Sequence, residues 1–276
     1  MIRKPAVSGI FYQDNSLGLR NQIEQIFSHN QGPGVIPAVP EHNLTKSYGL
    51  ILPHAGYIYS GPVAAWGMQE AAKKGIPETV IIIGPSHTGM GMPVSVWDKG
   101  SWETPFGEVQ VDEELAFEFL KNYDYANSNY NAHLGEHSIE VHLPLLQFTL
   151  GNSFKILPIS MMDQRKQTAE EIAGVFSKIK DMKKCIFIAS TDLNHYETEN
   201  ITQKKDKEVI DAILNTNIER MYSVITEKNI SMCGFGPVAS LLKAKLGNPL
   251  LLKHLTSGQV SGDLSHVVGY SSFLID

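Results

Sequence analysis

The chain has 276 residues, 42% of them hydrophobic, enough for one large core or two small ones. A net charge of −6 and a pI near 5.9, with Lys and Glu scattered rather than blocked, leave no basic footprint and argue against a nucleic-acid partner. No stretch approaches the ~18 apolar residues of a membrane span. No long apolar segment follows Met1-Ile2-Arg3-Lys4-Pro5, and two cysteines, Cys185 and Cys233, fit a reduced, cytoplasmic setting without a signal peptide.

Taken in chain order, Leu17 to Phe27 carries helical periodicity, and Gln31-Gly32-Pro33-Gly34 breaks the chain. A strand is expected around Tyr48 to Leu52, then a helix from Val63 to Lys74, opened by Gly61-Pro62 and closed by Gly75. With the next strand, Thr79 to Ile83, this makes a βαβ unit. Residues Pro93 to Val111 read as a β excursion, and Asp112 as the N-cap of a helix running through Leu120. Tyr123 to His133 reads as a loop, followed by an apolar stretch from Leu143 to Leu150. Phe154 to Ile159 is strand-like, Thr168 to Ile179 helical and Cys185 to Ala189 strand-like again. Three helices are expected over 201–246, the last after Pro237, and then two strands, Leu250 to His254 and Val267 to Ile275. The order predicts one α/β domain over 1–276, a three-layer α/β/α arrangement around a central mixed, largely parallel sheet.

Three of these strands end in the same way. Leu50-Ile51-Leu52-Pro53-His54, Val80-Ile81-Ile82-Ile83-Gly84-Pro85-Ser86-His87 and Cys185-Ile186-Phe187-Ile188-Ala189-Ser190-Thr191-Asp192-Leu193-Asn194-His195 each run from apolar residues into a polar loop with histidine. Continuous apolar runs are the mark of buried parallel strands, and open α/β sheets bind ligands beyond the carboxyl ends of such strands. If the three share a sheet, His54, His87, Asp192 and His195 emerge on one rim. Each histidine taken singly is as well explained as an ordinary loop residue.

Tyr57 and Tyr59 are candidates to wall the pocket. The loop after Ile83 is neither G-x-G-x-x-G nor a Walker A loop, which argues against a nucleotide. Asp192 and His195 are close enough in sequence to act as a base and its orienting partner, or as a metal ligand and the group that supports it. Glu136-His137-Ser138-Ile139-Glu140-Val141-His142 is the densest polar cluster, but it is not H-E-x-x-H. His137 and His142 would stand ~140° apart on a helix and on opposite faces of a strand, so at most one is expected to reach the site. His133 and His137 are spaced i,i+4, but His133 falls in loop-like sequence. Cys233, just before a helix, is expected to have a lowered pKa; Cys185, His29, His42, His254 and His266 read as ordinary. Two histidines with a cysteine or carboxylate make a site for Fe(II), Cu or Zn.

Together these segments resemble the Memo family. The resemblance rests on Pro53-His54-Ala55-Gly56-Tyr57 with Tyr59-Ser60-Gly61, Gly84-Pro85-Ser86-His87, Glu136 to Pro144, Ser190 to His195 and Cys233-Gly234, with the opening Arg3 to Tyr12. It implies a fold like that of the class III extradiol ring-cleaving dioxygenases, which use non-haem iron. It also implies His54, His87 and Cys233 as metal ligands, Asp192 and His195 as catalytic or pocket residues, and His137, His142, Glu136 and Tyr57 as pocket-lining or supporting residues. The dioxygenases carry a glutamate where this chain has Cys233, which sets ring cleavage apart from what this site can be assumed to do. Animal members are described as cell-motility effectors that bind phosphotyrosine peptide. Bacterial and archaeal members often lie beside genes for AMMECR1-type and radical SAM proteins, which implies a functional link. The leading expectation is a metal-dependent redox enzyme, with Fe(II) ahead of Cu or Zn. The alternatives are a binding protein for a peptide or small anionic ligand, and a zinc-dependent hydrolase.

Overall fold

The computed structural model describes all 276 residues. Its core is a nine-stranded mixed sheet, in which the four central strands are parallel neighbours: Tyr48–Leu52, Cys185–Ser190, Thr79–Pro85 and Lys155–Met161, in that spatial order. Val94–Val96 lies antiparallel beyond Lys155–Met161, with Ala126–Ser128 parallel to it at that edge. On the other side Val267–Ile275 runs antiparallel to Tyr48–Leu52 and pairs with both Pro249–Thr256 and the short strand His195–Glu197. A separate three-stranded sheet joins Ile2–Arg3 to the hairpin Ser101–Thr104 and Gly107–Gln110.

Strand alternation divides the core in two. Ile81, Ile83, Leu157, Ile159 and Phe187 pack against the helices Glu113–Lys121, Lys166–Met182, Ile218–Glu227 and Phe235–Lys243. Their neighbours Val80, Ile82, Ile156, Ile186 and Ile188 point the other way, toward Ser16–Ser28, Tyr57–Lys74 and His142–Leu150. Successive residues of a strand face opposite sides, so a run buried on both must be apolar throughout. Each such aliphatic side chain contributes about 2 kcal/mol by its burial. The helix His142–Leu150 is buried at every position, which explains why it shows no amphipathic period.

The predicted βαβ unit exists, but Cys185–Ser190 is inserted between its two strands. The intervening helix begins at Tyr57, not Val63, and takes Pro62 into its interior. The proline has no N–H for the Ile58 carbonyl, so one helical hydrogen bond is lost in the first turns. Tyr123 to His133 is not a plain loop: it contains Ala126–Ser128 and leads into the helix Asn131–Leu134. That strand is short and at the sheet edge, and both features weaken its sequence signal. The last of the three C-terminal helices starts at Phe235, with Pro237 in its first turn. No helix is long and apolar enough to cross a membrane.

Candidate metal centre

The three histidine-bearing strands are consecutive in the sheet and end in register. Leu52 is paired with Ser190, and Ile83 with Ala189. The carbonyl of Leu52 accepts from the Thr191 N–H at 2.9 Å, which ties the first loop to the third. His54, His87, Asp192 and His195 therefore leave the sheet on one rim, as the spacing predicts.

His54 is buried, and its Nε2 lies 3.3 Å from the sulfur of Cys233. Its ring stands edge-on to that of His87, with centroids 5.1 Å apart. One donor atom from each of His54, His87 and Cys233 falls within 4.8 Å of the others. A tetrahedral ion bound to nitrogen and sulfur at ordinary lengths holds the two atoms about 3.5 Å apart, so this donor set fits a transition metal. Cys233 comes this close because Gly234 lacks a side chain: a Cβ there would lie 2.2 Å from the Ser190 carbonyl oxygen. The sulfur also accepts the backbone N–H of Asp192 at 3.1 Å.

The expected lowering of the Cys233 pKa is overturned. The helix Phe235–Lys243 is capped at Gly234, which leaves Cys233 outside its first turn. Burial, reinforced by the nearby Asp192 carboxyl, pushes the thiol up instead.

His87 is held by Glu136, whose carboxylate accepts its backbone N–H and, at 2.9 Å, its Nδ1. The same carboxylate accepts the N–H groups of His137 and Ser138, each at 2.9 Å. Burial alone would raise the Glu136 pKa, but these bonds hold it down at about 2. A carboxylate on Nδ1 leaves Nε2 of His87 available as a ligand atom. His137 stacks on His87 with ring centroids 4.5 Å apart and meets Phe11 at 4.9 Å.

Of His137 and His142, only His137 packs against the candidate ligands His54 and His87. His137 precedes a turn over Ser138 to Val141 and His142 opens a helix, so neither a helical nor a strand spacing relates them. His142 lies one layer deeper, with Nε2 2.8 Å from the Ser190 hydroxyl. Burial takes its pKa down to about 3. His133 goes elsewhere: it packs edge-on against Trp97 and Trp102, and its Nε2 donates to the Ser95 carbonyl.

Asp192 and His195 do not form the predicted pair. The Asp192 carboxylate accepts the His54 backbone N–H at 2.9 Å, and burial brings its pKa up to about 7. His195 is oriented by Ser231 instead. Its N–H bonds the Ser231 hydroxyl at 2.7 Å, and Nδ1 donates to the Ser231 carbonyl at 2.9 Å. Nε2 is then the basic nitrogen, and burial lowers the pKa so that it stays neutral. The next residue, Tyr196, is 74% exposed and adopts a φ of 61°, a left-handed conformation that costs a bulky side chain about 1–3 kcal/mol. Tyr57 is buried with its hydroxyl donating to the Val141 carbonyl at 2.7 Å, and it lines a groove with Gln22, Ile26 and Ile58 rather than the donor set.

Three supports escaped the sequence reading. Ser190 links His54 to His142, Ser138 joins its own carbonyl to Ser190 and its hydroxyl to Pro85, and Arg3 pins the Glu136 segment from the far N-terminus. Each pairing spans a large sequence separation with no local pattern to betray it.

The fold and rim thus define an α/β protein with a His–His–Cys donor set at the carboxyl ends of parallel strands. The family model for Memo-like protein matches residues 3–274. A MEMO1 family protein of Thermotoga maritima is 48% identical over 277 residues, covering 100% of both chains. One of Sulfolobus acidocaldarius is 46% identical and covers 99% of this chain and 98% of its own. The chain belongs to the Memo family. Among solved structures, the crystal structure of an uncharacterized protein from Escherichia coli K12 matches with a TM-score of 0.60 at 11% identity, covering 83% of this chain and 99% of that one. At that identity the likeness speaks for the fold alone.

Proposed function

We propose that this protein is a metal-dependent redox enzyme acting on a small molecule, with His54, His87 and Cys233 holding one Fe(II) ion. The observation that carries the reading is the convergence of two imidazoles and a thiol, each on a different loop of one rim, within 4.8 Å. A divalent metal held by three protein donors would keep coordination positions open and supply redox and Lewis-acid chemistry. His195 receives a proton from the substrate at Nε2, since Nδ1 is committed to Ser231. Asp192 braces the His54 loop through its backbone N–H. His54 and Asp192 are buried while His87 faces solvent, so the donor set is closed on the protein side and open to a substrate on the other.

The test is a screen for oxygen uptake with protein purified anaerobically and reloaded with Fe(II), followed by His195→Gln on any substrate found. Dioxygen consumption that falls about 100-fold or more in the variant, with iron retained, supports the reading. Turnover without oxygen consumption would favour a zinc hydrolase. Ligand binding unchanged in Cys233→Ser, with metal lost and no turnover of any substrate, would favour a binding protein.

A further inference from the structure

We propose that Ser190 makes His54 a metal ligand by fixing which of its ring nitrogens carries the proton. The inference rests on the metal-binding reading above and deepens it. The Ser190 hydroxyl has three close polar neighbours: the Ser138 carbonyl oxygen at 2.6 Å, His54 Nδ1 at 2.7 Å and His142 Nε2 at 2.8 Å. A hydroxyl has one proton and two acceptor sites. The carbonyl has no proton to offer, so the hydroxyl proton must point there. Both imidazoles must then donate to the serine oxygen.

The consequences follow atom by atom. His54 carries its proton on Nδ1, which leaves Nε2 as a bare lone pair beside the Cys233 sulfur at 3.3 Å. His142 carries its proton on Nε2, and its Nδ1 is buried without a partner, as a nitrogen without hydrogen can best be. The reverse assignment would set a hydroxyl lone pair against the Ser138 carbonyl at 2.6 Å, among residues that are all buried.

The placement is built into the fold. Ser190 is the last residue of the middle histidine strand and lies on the same face as Ile186 and Ile188. That face is covered by the helix His142–Leu150, whose first residue is His142. Ser138 donates its own hydroxyl to the Pro85 carbonyl at 2.9 Å, and Pro85 ends the strand that leads to His87. One buried chain of hydrogen bonds therefore joins the strands that deliver both histidines. Ser190 is a positioning residue: it touches the ligand ring, not the metal.

Two-bond ¹H–¹⁵N correlation spectra of the metal-free, ¹⁵N-histidine-labelled protein read the tautomer directly. We expect His54 protonated at Nδ1. In Ser190→Ala we expect a mixture of tautomers, and Co(II) affinity, followed by its thiolate absorption band, about 10–100-fold weaker than wild type. A wild-type His54 protonated at Nε2, or wild-type cobalt affinity in Ser190→Ala, would overturn the proposal. If the variant does not fold, the wild-type spectrum decides alone. Wild-type protein that takes up no cobalt defeats the metal-binding reading, whatever the spectrum says of the tautomer.

Discussion

Glu136 reaches His87 twice, accepting both its backbone N–H and its Nδ1. One carboxylate thus sets the position and the orientation of a candidate ligand. Two further residues, His137 and Ser138, depend on it through their N–H bonds, and His137 in turn stacks on His87. Glu136→Ala should weaken Co(II) or Fe(II) binding about 10–100-fold. It should also destabilise the fold by roughly 1–3 kcal/mol for each N–H left without a partner. Metal titration and urea unfolding of the same variant measure the two effects; an unchanged metal affinity would show that His87 needs no such brace.

Gly234 is the second mechanical requirement. A Cβ there would meet the Ser190 carbonyl oxygen at 2.2 Å and the Thr191 Cβ at 2.7 Å, where the strand passes into the loop that leads to Asp192. Gly234→Ala must push the two loops apart and carry Cys233 away from His54. We expect the cobalt–thiolate absorption band to disappear in this variant. A normal band would mean that the sulfur position tolerates the shift.

Much of this arrangement could be read from residues alone, and the boundary has a physical origin. The parallel strands are buried on both faces, so Val80 to Ile83 and Cys185 to Ala189 announce themselves as apolar runs, and their shared rim follows. Ala126–Ser128 is an edge strand of three residues with two of them exposed, too short and too wet to leave a pattern. The Asp192–His195 pairing failed because nearness in sequence does not decide direction at a strand end. Backbone turns send Asp192 back to the His54 N–H and His195 out to Ser231. The spacing of His137 and His142 could not say which would face the ligands, because the two lie on different elements, a turn and a helix.

The N-terminal segment braces the His133 to Glu140 segment from outside the main sheet. Arg3 and Glu140 form an ion pair at 2.7 Å with both side chains fully buried. Arg3 also donates to the carbonyls of His133 and Glu136, each at 2.7 Å, and lies over the Trp102 ring. Glu140 further accepts from Ala6, Val7 and the Tyr12 hydroxyl. Arg3→Ala leaves a buried carboxylate without its charge partner and should cost about 3–5 kcal/mol in urea unfolding. A loss below about 1 kcal/mol would mean that the remaining bonds to Glu140 suffice.

Acid should weaken the fold through its buried histidines. Burial takes His133 from its ordinary 6.5 down to about 3, so the folded state refuses a proton that the unfolded chain accepts. Its contribution is complete above pH 6.5 and is lost as pH falls toward 3, by about 1.4 kcal/mol per pH unit. Asp192 acts in the opposite sense, because its raised pKa disfavours the folded state as pH climbs from 3.8 toward 7. A difference measurement isolates the histidine. Between pH 6 and 4.5, the stability of His133→Phe should fall less steeply than that of wild type by about 1.4 kcal/mol per pH unit. Parallel curves would place the proton uptake elsewhere.

The central claim is that His54, His87 and Cys233 hold a transition metal. Elemental analysis of protein purified without oxygen, beside the His54→Ala variant purified identically, tests it most directly. The account predicts iron bound to the wild-type chain in near-stoichiometric amount and absent from the variant. Wild-type protein free of iron, copper and zinc, or equal metal content in both, would contradict it.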